Sequence, residues 1–132
     1  MPRHIIFQKV LNNERMAEMN LLITIEPRSY REAIGGAISM LRPNVTVTVA
    51  GPRELESEAI RLSPEMVISG APSPFALESR LAWIEFLPYT HPQAKFCLAG
   101  RRSEMEKVEL DDLLSVVDEV ETLSKTNTPN GC

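Results

Sequence analysis

Length, composition and charge narrow the class of protein before any motif is considered. The chain has 132 residues, of which 43% are hydrophobic and 24% charged, and these values are typical of one soluble globular domain. No apolar run approaches the ~18 residues that a membrane-spanning helix needs, so we expect no membrane segment. The net charge of −4 disfavours a nucleic-acid-binding module, because such modules bind phosphates through Lys and Arg.

The ends of the chain and its cysteines predict a cytoplasmic protein. The first residues lack the pattern of a secretory signal, and residues 1–19 are interpreted as an N-terminal extension. Residues 20–123 are predicted to form the domain, and residues 124–132 a flexible tail. Cys97 and Cys132 form neither a disulfide framework nor a metal-binding spacing, so Cys97 is predicted to be a buried thiol.

The apolar runs predict four main strands. Residues 20–25 and 66–68 are almost continuously apolar, which is typical of strands buried on both faces of a parallel sheet. Residues 45–49 alternate strictly between Val and Thr, which favours a strand at the edge of the sheet. Residues 95–99 form a fourth apolar run after a proline and are predicted to be another buried strand.

Segments with apolar residues at helical spacing lie between these strands and after the last one. Ser29 is a plausible N-cap for the first helix, with Glu32 three residues later. The last helix has the clearest apolar face. The predicted helices cover residues 29–41, 53–62, 75–87 and 110–123.

Alternating strands and helices with short turns predict a three-layer α/β fold, in which helices cover both faces of a doubly wound parallel sheet. The apolar run at residues 5–11 lies outside this pattern and is compatible with an added strand or a helix. Residues 100–109 are too few for a further crossover helix and the strand that it would feed. Residues 104–108 are therefore either a short antiparallel edge strand or a loop.

Four segments resemble the receiver domain of two-component response regulators. LLITIEPRSYREAI is similar to its first strand and helix, and PEMVISGAP to its third strand. KFCLAG is similar to its fourth strand and VELDDLLSVVDEV to its closing helix. The resemblance covers about residues 20–123 and implies a flavodoxin-like or receiver-like sheet of about four main strands. The usual fourth helix and fifth strand are then missing or reduced.

The resemblance also implies that phosphorylation is lost. The acidic pair that holds Mg²⁺ in receivers falls on Ile25 and Glu26, and the phosphoacceptor aspartate falls on Gly70. The switching hydroxyl falls on Ala99, and Lys107 is a doubtful equivalent of the family's lysine. Phosphoryl transfer needs a carboxylate nucleophile and oxygen ligands for Mg²⁺. We therefore expect a degenerate receiver that cannot be phosphorylated at the usual position.

Ligands of open α/β sheets bind beyond the carboxyl ends of the strands. On the predicted topology this strand-end rim gathers acidic, hydroxyl and guanidinium groups, and the two arginines are suited to an anion. A solvated turn is the simpler interpretation of the arginine segment. The candidate binding residues are Glu26, Ser69, Gly70, Ser73, Arg101, Arg102 and Ser103.

Other chemistries lack a motif. His4 and His91 have no second ligand at zinc-binding spacing, so no metal site is predicted. Ser69 and Ser73 stand outside any nucleophile-elbow sequence, and no glycine-rich phosphate loop is present. We therefore expect no catalytic residues and no cofactor.

The sequence thus predicts a non-enzymatic signalling or regulatory module that binds another protein or itself. The alternative is a small-molecule or anion-binding protein, or an enzyme, that uses the strand-end rim. A homodimer is expected because the apolar strand at residues 95–99 would lie at a sheet edge unless residues 5–11 or 104–108 cover it. Trp83, Phe86 and Tyr89 are expected to add uncovered apolar area to that interface.

Overall fold

One mixed sheet of seven strands organises the described residues of the chain. The computed structural model describes residues 5–7, 19–70, 81–87 and 91–125. The strands are β1 (Ile5–Phe7), β2 (Met19–Ile23), β3 (Val45–Val49), β4 (Met66–Ser69), β5 (Ala82–Leu87), β6 (His91–Leu98) and β7 (Arg101–Met105). The helices are α1 (Arg28–Leu41), α2 (Leu55–Leu62) and α3 (Leu110–Ser124), and a 3-10 turn at Pro52–Glu54 precedes α2. In space the strand order is β1-β3-β2-β4-β5-β6-β7.

The four central strands, β3-β2-β4-β5, are parallel. Their short apolar runs form strands because each must bury side chains on both faces, and every residue of β4 is buried. The register places Leu22, Val67 and Trp83 in one row across β2, β4 and β5. The predicted strands at residues 20–25, 45–49 and 66–68 are thus confirmed within about two residues at each end.

The prediction of a doubly wound parallel sheet is wrong. β1 pairs antiparallel with β3, β6 with β5, and β7 with β6. Only three residues separate β5 from β6, and two separate β6 from β7. A parallel connection needs a crossover of about a dozen residues, so these strands must return antiparallel. The strand at residues 95–99 exists as part of β6, but it is not the parallel strand that was expected.

The predicted helix at residues 75–87 is also wrong over its second half. Residues 75–80 lie outside the described part, and Ala82–Leu87 forms β5, parallel to β4. Leu81 and Ile84 are at helical spacing, but they belong to an apolar run in which Trp83 and Ile84 are buried on opposite faces. A short apolar run fits both helical and strand periodicity, and here hydrogen bonding to β4 stabilises the strand.

The sheet edges differ from the expected ones. β3 was predicted at an edge, but β1 pairs outside it through Ile5–Phe7. Of the two interpretations of residues 5–11, the strand is correct for residues 5–7, and residues 8–11 lie outside the described part. β7 covers β6, so the apolar edge from which a homodimer was expected does not exist. Trp83 and Phe86 are buried, contrary to expectation, and Tyr89 is outside the described ranges.

Two apolar layers hold the helices on the sheet. On one face, α1 and α3 pack against alternate residues of the strands, and on the other face α2 does so. The first layer includes Ile23, Ile34, Ile38, Ile68, Ile84, Leu113, Val117 and Val120. The second includes Leu22, Leu55, Ala59, Val67 and Trp83.

The first helix starts differently from its sequence prediction. Pro27 occupies the N-cap position with no side-chain cap, so the prediction that Ser29 caps the helix is wrong. Glu32 instead accepts a hydrogen bond from Arg28 Nε at 2.7 Å. That bond, with the carboxylate charge, raises the pKa of Arg28. A salt bridge one turn apart therefore replaces the expected capping box.

An ion pair ties the last helix to the end of the first. Arg42 donates from Nε to Asp118 Oδ1 at 2.6 Å and from Nη2 to Oδ2 at 2.9 Å. The hydrogen bonds raise the pKa of Arg42 above its usual value. This two-pronged contact fixes α3 over the sheet, where it forms one wall of the groove described below.

The state of Cys97 and the length of the helices bear on two expectations from the sequence. Cys97 is buried on β6, as predicted, but it is disulfide-bonded, so the prediction that it is a thiol is wrong. None of the helices in the described ranges has the length and apolarity needed to cross a membrane.

Candidate functional site

The ends of the parallel strands bring together only part of the predicted rim. Glu26 follows β2, Ser69 ends β4 and Gly70 follows it, so these residues share one edge of the sheet. Ser69 is buried, whereas Glu26 is exposed. Ser73 lies outside the described part of the chain.

Arg101, Arg102 and Ser103 belong to a different part of the sheet. Leu98 pairs with Ala82, the first residue of β5, and also with Arg101. The start of β7 therefore lies at the edge where the parallel strands begin, opposite the rim. The prediction placed them at the rim because it took β6 to be parallel, and the short β5–β6 connection reverses that direction.

An arginine that was not among the candidate residues occupies the rim. Arg31 Nη1 donates to the carbonyl oxygen of Ile25 at 3.2 Å and to Glu26 Oε2 at 3.4 Å. Its side chain is only 11% exposed, and Nη2 lies near Gly51 at the end of β3. The guanidinium group offsets the charge of Glu26, which weakens this carboxylate as a ligand for a cation.

The residues at the positions that carry phosphoryl transfer in receivers do not form a phosphorylation site in this structure. The side chain of Ile25 is fully buried in the core, and Gly70 offers no side chain. Ala99 lies at the opposite edge, in the turn between β6 and β7. In the part of the chain that the structure describes, no three His, Cys, Asp or Glu side chains converge on a metal-sized site.

A row of polar side chains crosses the sheet just below the rim. Extending the register of β2, β4 and β5 by one residue aligns Thr24 with Ser69 and Glu85. Thr24 Oγ1 is buried without a hydrogen-bond partner among the described residues, and so is Trp83 Nε1. The two groups lie on the face that α2 covers, but they are on strands separated by β4, so they do not share one ligand.

A second surface combines a groove with an uncovered strand. Between α3 and the β6–β7 hairpin lies a groove of about 540 Å³, which we call the hairpin groove. Its apolar lining comes from β6, β7 and α3, and its polar groups come from β7 and α3. The lining residues are Phe96, Leu98, Arg101, Arg102, Ser103, Met105, Val116 and Glu119.

The turn between β6 and β7 determines the face of the sheet to which each β7 side chain points. Ala99 and Gly100 have φ values of 51° and 86°, the pattern of a two-residue type I′ turn. Successive strand residues point to opposite faces, so Arg101, Ser103 and Met105 share the face of the groove. Arg102 also borders the groove, but the alternation directs its side chain, and that of Glu104, to the other face. The two arginines therefore do not converge on one anion.

The groove is open at the side of β7. Four of the five β7 residues are exposed, and no strand pairs with its outer edge in the described sheet. Arg101 Nη2 lies 3.8 Å from Glu119 Oε2, across the mouth of the groove. This separation is long for an ion pair and both side chains are more than half exposed, so the contact closes the groove only weakly.

A smaller cavity lies between α1 and α3. Its volume is about 220 Å³, and Tyr30 and Phe86 form part of its lining. Their ring centroids are 6.4 Å apart with the planes tilted by 48°. This cavity carries little polarity and no cluster of reactive groups, so the hairpin groove and the β7 edge are the stronger candidate site. No protein-family model, curated protein or solved structure matches this chain.

Proposed function

We propose that this chain is a non-enzymatic regulatory module that binds another protein chain through the hairpin groove and the adjoining edge of β7. One observation carries the proposal. An apolar groove lies beside a strand edge that pairs with no other strand in the described ranges, and together they offer burial and backbone hydrogen bonds to an incoming segment.

The chemistry of the strand-end rim supports the non-enzymatic part. Glu26 is engaged by Arg31, Gly70 stands where a phosphoacceptor would be, and Ile25 is an apolar core residue. Regulation by such a chain would depend on which protein occupies the groove, since residues 25, 70 and 99 lack the groups for phosphoryl transfer.

The composition of the groove supports a protein as its ligand. Phe96, Leu98 and Met105 form an apolar floor, while Arg101 and Glu119 stand at its mouth with opposite charges. A small anion would gain little there, because Glu119 offsets the one guanidinium group that faces the groove. Apolar centres with polar margins are typical of protein interfaces.

Affinity purification of the full-length chain tests the proposal. Met105→Glu places a charge on the apolar floor, and Ile60→Glu is the matched control, because Ile60 is 62% exposed on α2 at the other face. We expect a protein that co-purifies with the wild type and the control but is lost with Met105→Glu. The purified pair should then bind directly, with the same ranking of variants.

Two outcomes contradict the proposal. One is that no protein, including a second copy of the chain, distinguishes Met105→Glu from Ile60→Glu. The other is that the purified chain turns over a substrate through residues of the strand-end rim.

A further inference from the structure

We propose that the partner of the β7 edge is a second copy of this chain, paired antiparallel about a two-fold axis at Ser103. The inference rests on the proposed function, because it names the partner of the same surface. It is carried by the sequence of β7, whose five residues are complementary in charge in the register centred on Ser103.

The turn decides which backbone groups of β7 are available. In a two-residue hairpin, the residues that flank the turn exchange hydrogen bonds, so Arg101 directs its N–H and C=O towards Leu98. The direction alternates along the strand. Ser103 and Met105 therefore also face β6, while the N–H and C=O groups of Arg102 and Glu104 point outward from the sheet.

A two-fold axis through Ser103 uses these outward groups. Arg102 of one copy then lies opposite Glu104 of the second copy, and the reverse pair forms on the other side of the axis. The two residues of each pair exchange two backbone hydrogen bonds, which gives four across the interface. Their side chains also lie on the same face with opposite charges, which stabilises a cross-strand pair.

Neighbouring registers are unfavourable. An axis at Arg102 would place its guanidinium group opposite the same group of the second copy. An axis at Glu104 would oppose two carboxylates, and it would place Arg102 opposite Glu106, which lies in the bend after β7 and outside the strand. Directly opposed like charges destabilise a strand pair. Edge charges normally prevent sheets from joining, and here the charges within β7 favour the two-fold register at Ser103.

The groove side of the sheet adds apolar contact in the same register. Arg101 lies opposite Met105 of the second copy, so the aliphatic part of its side chain can pack on that methionine. Since a perpendicular two-fold axis keeps both α3 helices on one face, the two hairpin grooves become neighbours. The dimer therefore extends the seven-stranded sheet and covers part of the apolar floor at Leu98 and Met105.

Charge reversal tests the register. Sedimentation of the full chain between about 1 and 100 µM, the range of transient complexes, should show a monomer–dimer equilibrium. Arg102→Glu or Glu104→Arg alone should weaken the dimer by about tenfold or more, because two attractive pairs become repulsive. The double variant Arg102→Glu/Glu104→Arg should restore the affinity to within about threefold.

Arg53→Glu is the matched control, since Arg53 is exposed in the 3-10 turn, on the face that α2 covers, and should leave the affinity unchanged. Ser103→Cys gives an independent measurement. Opposite residues of a non-hydrogen-bonded pair have Cα atoms about 4.5 Å apart, which suits a disulfide. We expect a covalent dimer joined at position 103 under mild oxidation, and none from Ser57→Cys on α2.

The outcomes separate this inference from the proposed function. A chain that is monomeric throughout the concentration range, or a dimer that the single reversals leave intact, overturns the inference. If such a chain still binds a different protein in a Met105-dependent way, the proposed function stands. A monomer that binds no protein contradicts both.

Discussion

The parallel centre of the sheet and its C-terminal hairpin differ in what their side chains contact. Every residue of β4 is buried, because helices cover both faces of the sheet there. Four of the five residues of β7 are exposed. A strand buried on both faces contributes to stability and has no surface with which to bind. β7 has few such contacts, and its outer edge, which pairs with no strand of the described sheet, is therefore available as an interface.

The largest expected loss of stability comes from a substitution in the parallel centre of the sheet. Ile68→Ala removes a fully buried side chain and should lower the free energy of unfolding by about 2–5 kcal/mol, because a cavity remains. Ser103→Ala in β7 should change it by about 0.5 kcal/mol or less. Guanidinium unfolding of both variants at low concentration provides the comparison. Equal losses would contradict the division into a buried centre and a surface hairpin.

The turn of the hairpin should give intermediate effects of opposite sign. Gly100 has a φ of 86°, so Gly100→Ala should cost about 1 kcal/mol or more. Ala99 has a φ of 51°, at which an alanine is strained by about 1–2 kcal/mol. Ala99→Asn should recover about 0.5–1 kcal/mol of this strain, because asparagine tolerates that conformation.

Thermal unfolding of the two turn variants measures these changes. A destabilised Ala99→Asn would show that the turn is not type I′.

The strand-end rim should give no response to phosphodonors. Acetyl phosphate with Mg²⁺ should leave the mass of the chain unchanged, because neither Ile25 nor Gly70 provides a carboxylate. Gly70→Asp alone should also remain unmodified, since groups that act as a unit are not restored one at a time. Intact-mass spectrometry checks both, and an acid-labile gain of about 80 Da, the mass of one phosphoryl group, would contradict the account.

The smallest expected effect concerns anions at the hairpin. Arg101 and Arg102 point to opposite faces of β7, so sulfate or phosphate should raise the melting temperature equally in the wild type and in Arg101→Ala/Arg102→Ala. Differential scanning fluorimetry measures this shift. A stabilisation that disappears in the double variant would revive the alternative of an anion-binding site.

The sequence predicts the centre of the fold better than the hairpin, for a physical reason. A continuous apolar run such as residues 66–68 is buried most completely in a strand that is covered on both faces. Residues 82–87 satisfy helical and strand spacing equally, and only the neighbouring β4 decides between them. Once β5 is mistaken for a helix, β6 takes its place as the parallel strand, and the arginines are assigned to the wrong edge.

The candidate site was predictable only in part. Glu26 and Gly70 reach the strand-end rim because the end of a parallel strand follows from its apolar run. The hairpin groove depends on the direction of β6, for which the short connection from β5 was the available signal. Arg31 carried no distinguishing pattern, since its role comes from the position of the Ile25 carbonyl group.

Residue-resolved amide exchange of β7 tests the central claim most directly. The account predicts that the amide protons of Arg102 and Glu104 exchange slowly at high protein concentration and quickly on dilution, because only a second copy pairs them. The amide protons of β4 should exchange slowly at both concentrations, since they belong to the centre of the sheet. Exchange of Arg102 and Glu104 that is equally fast at every concentration would contradict the account.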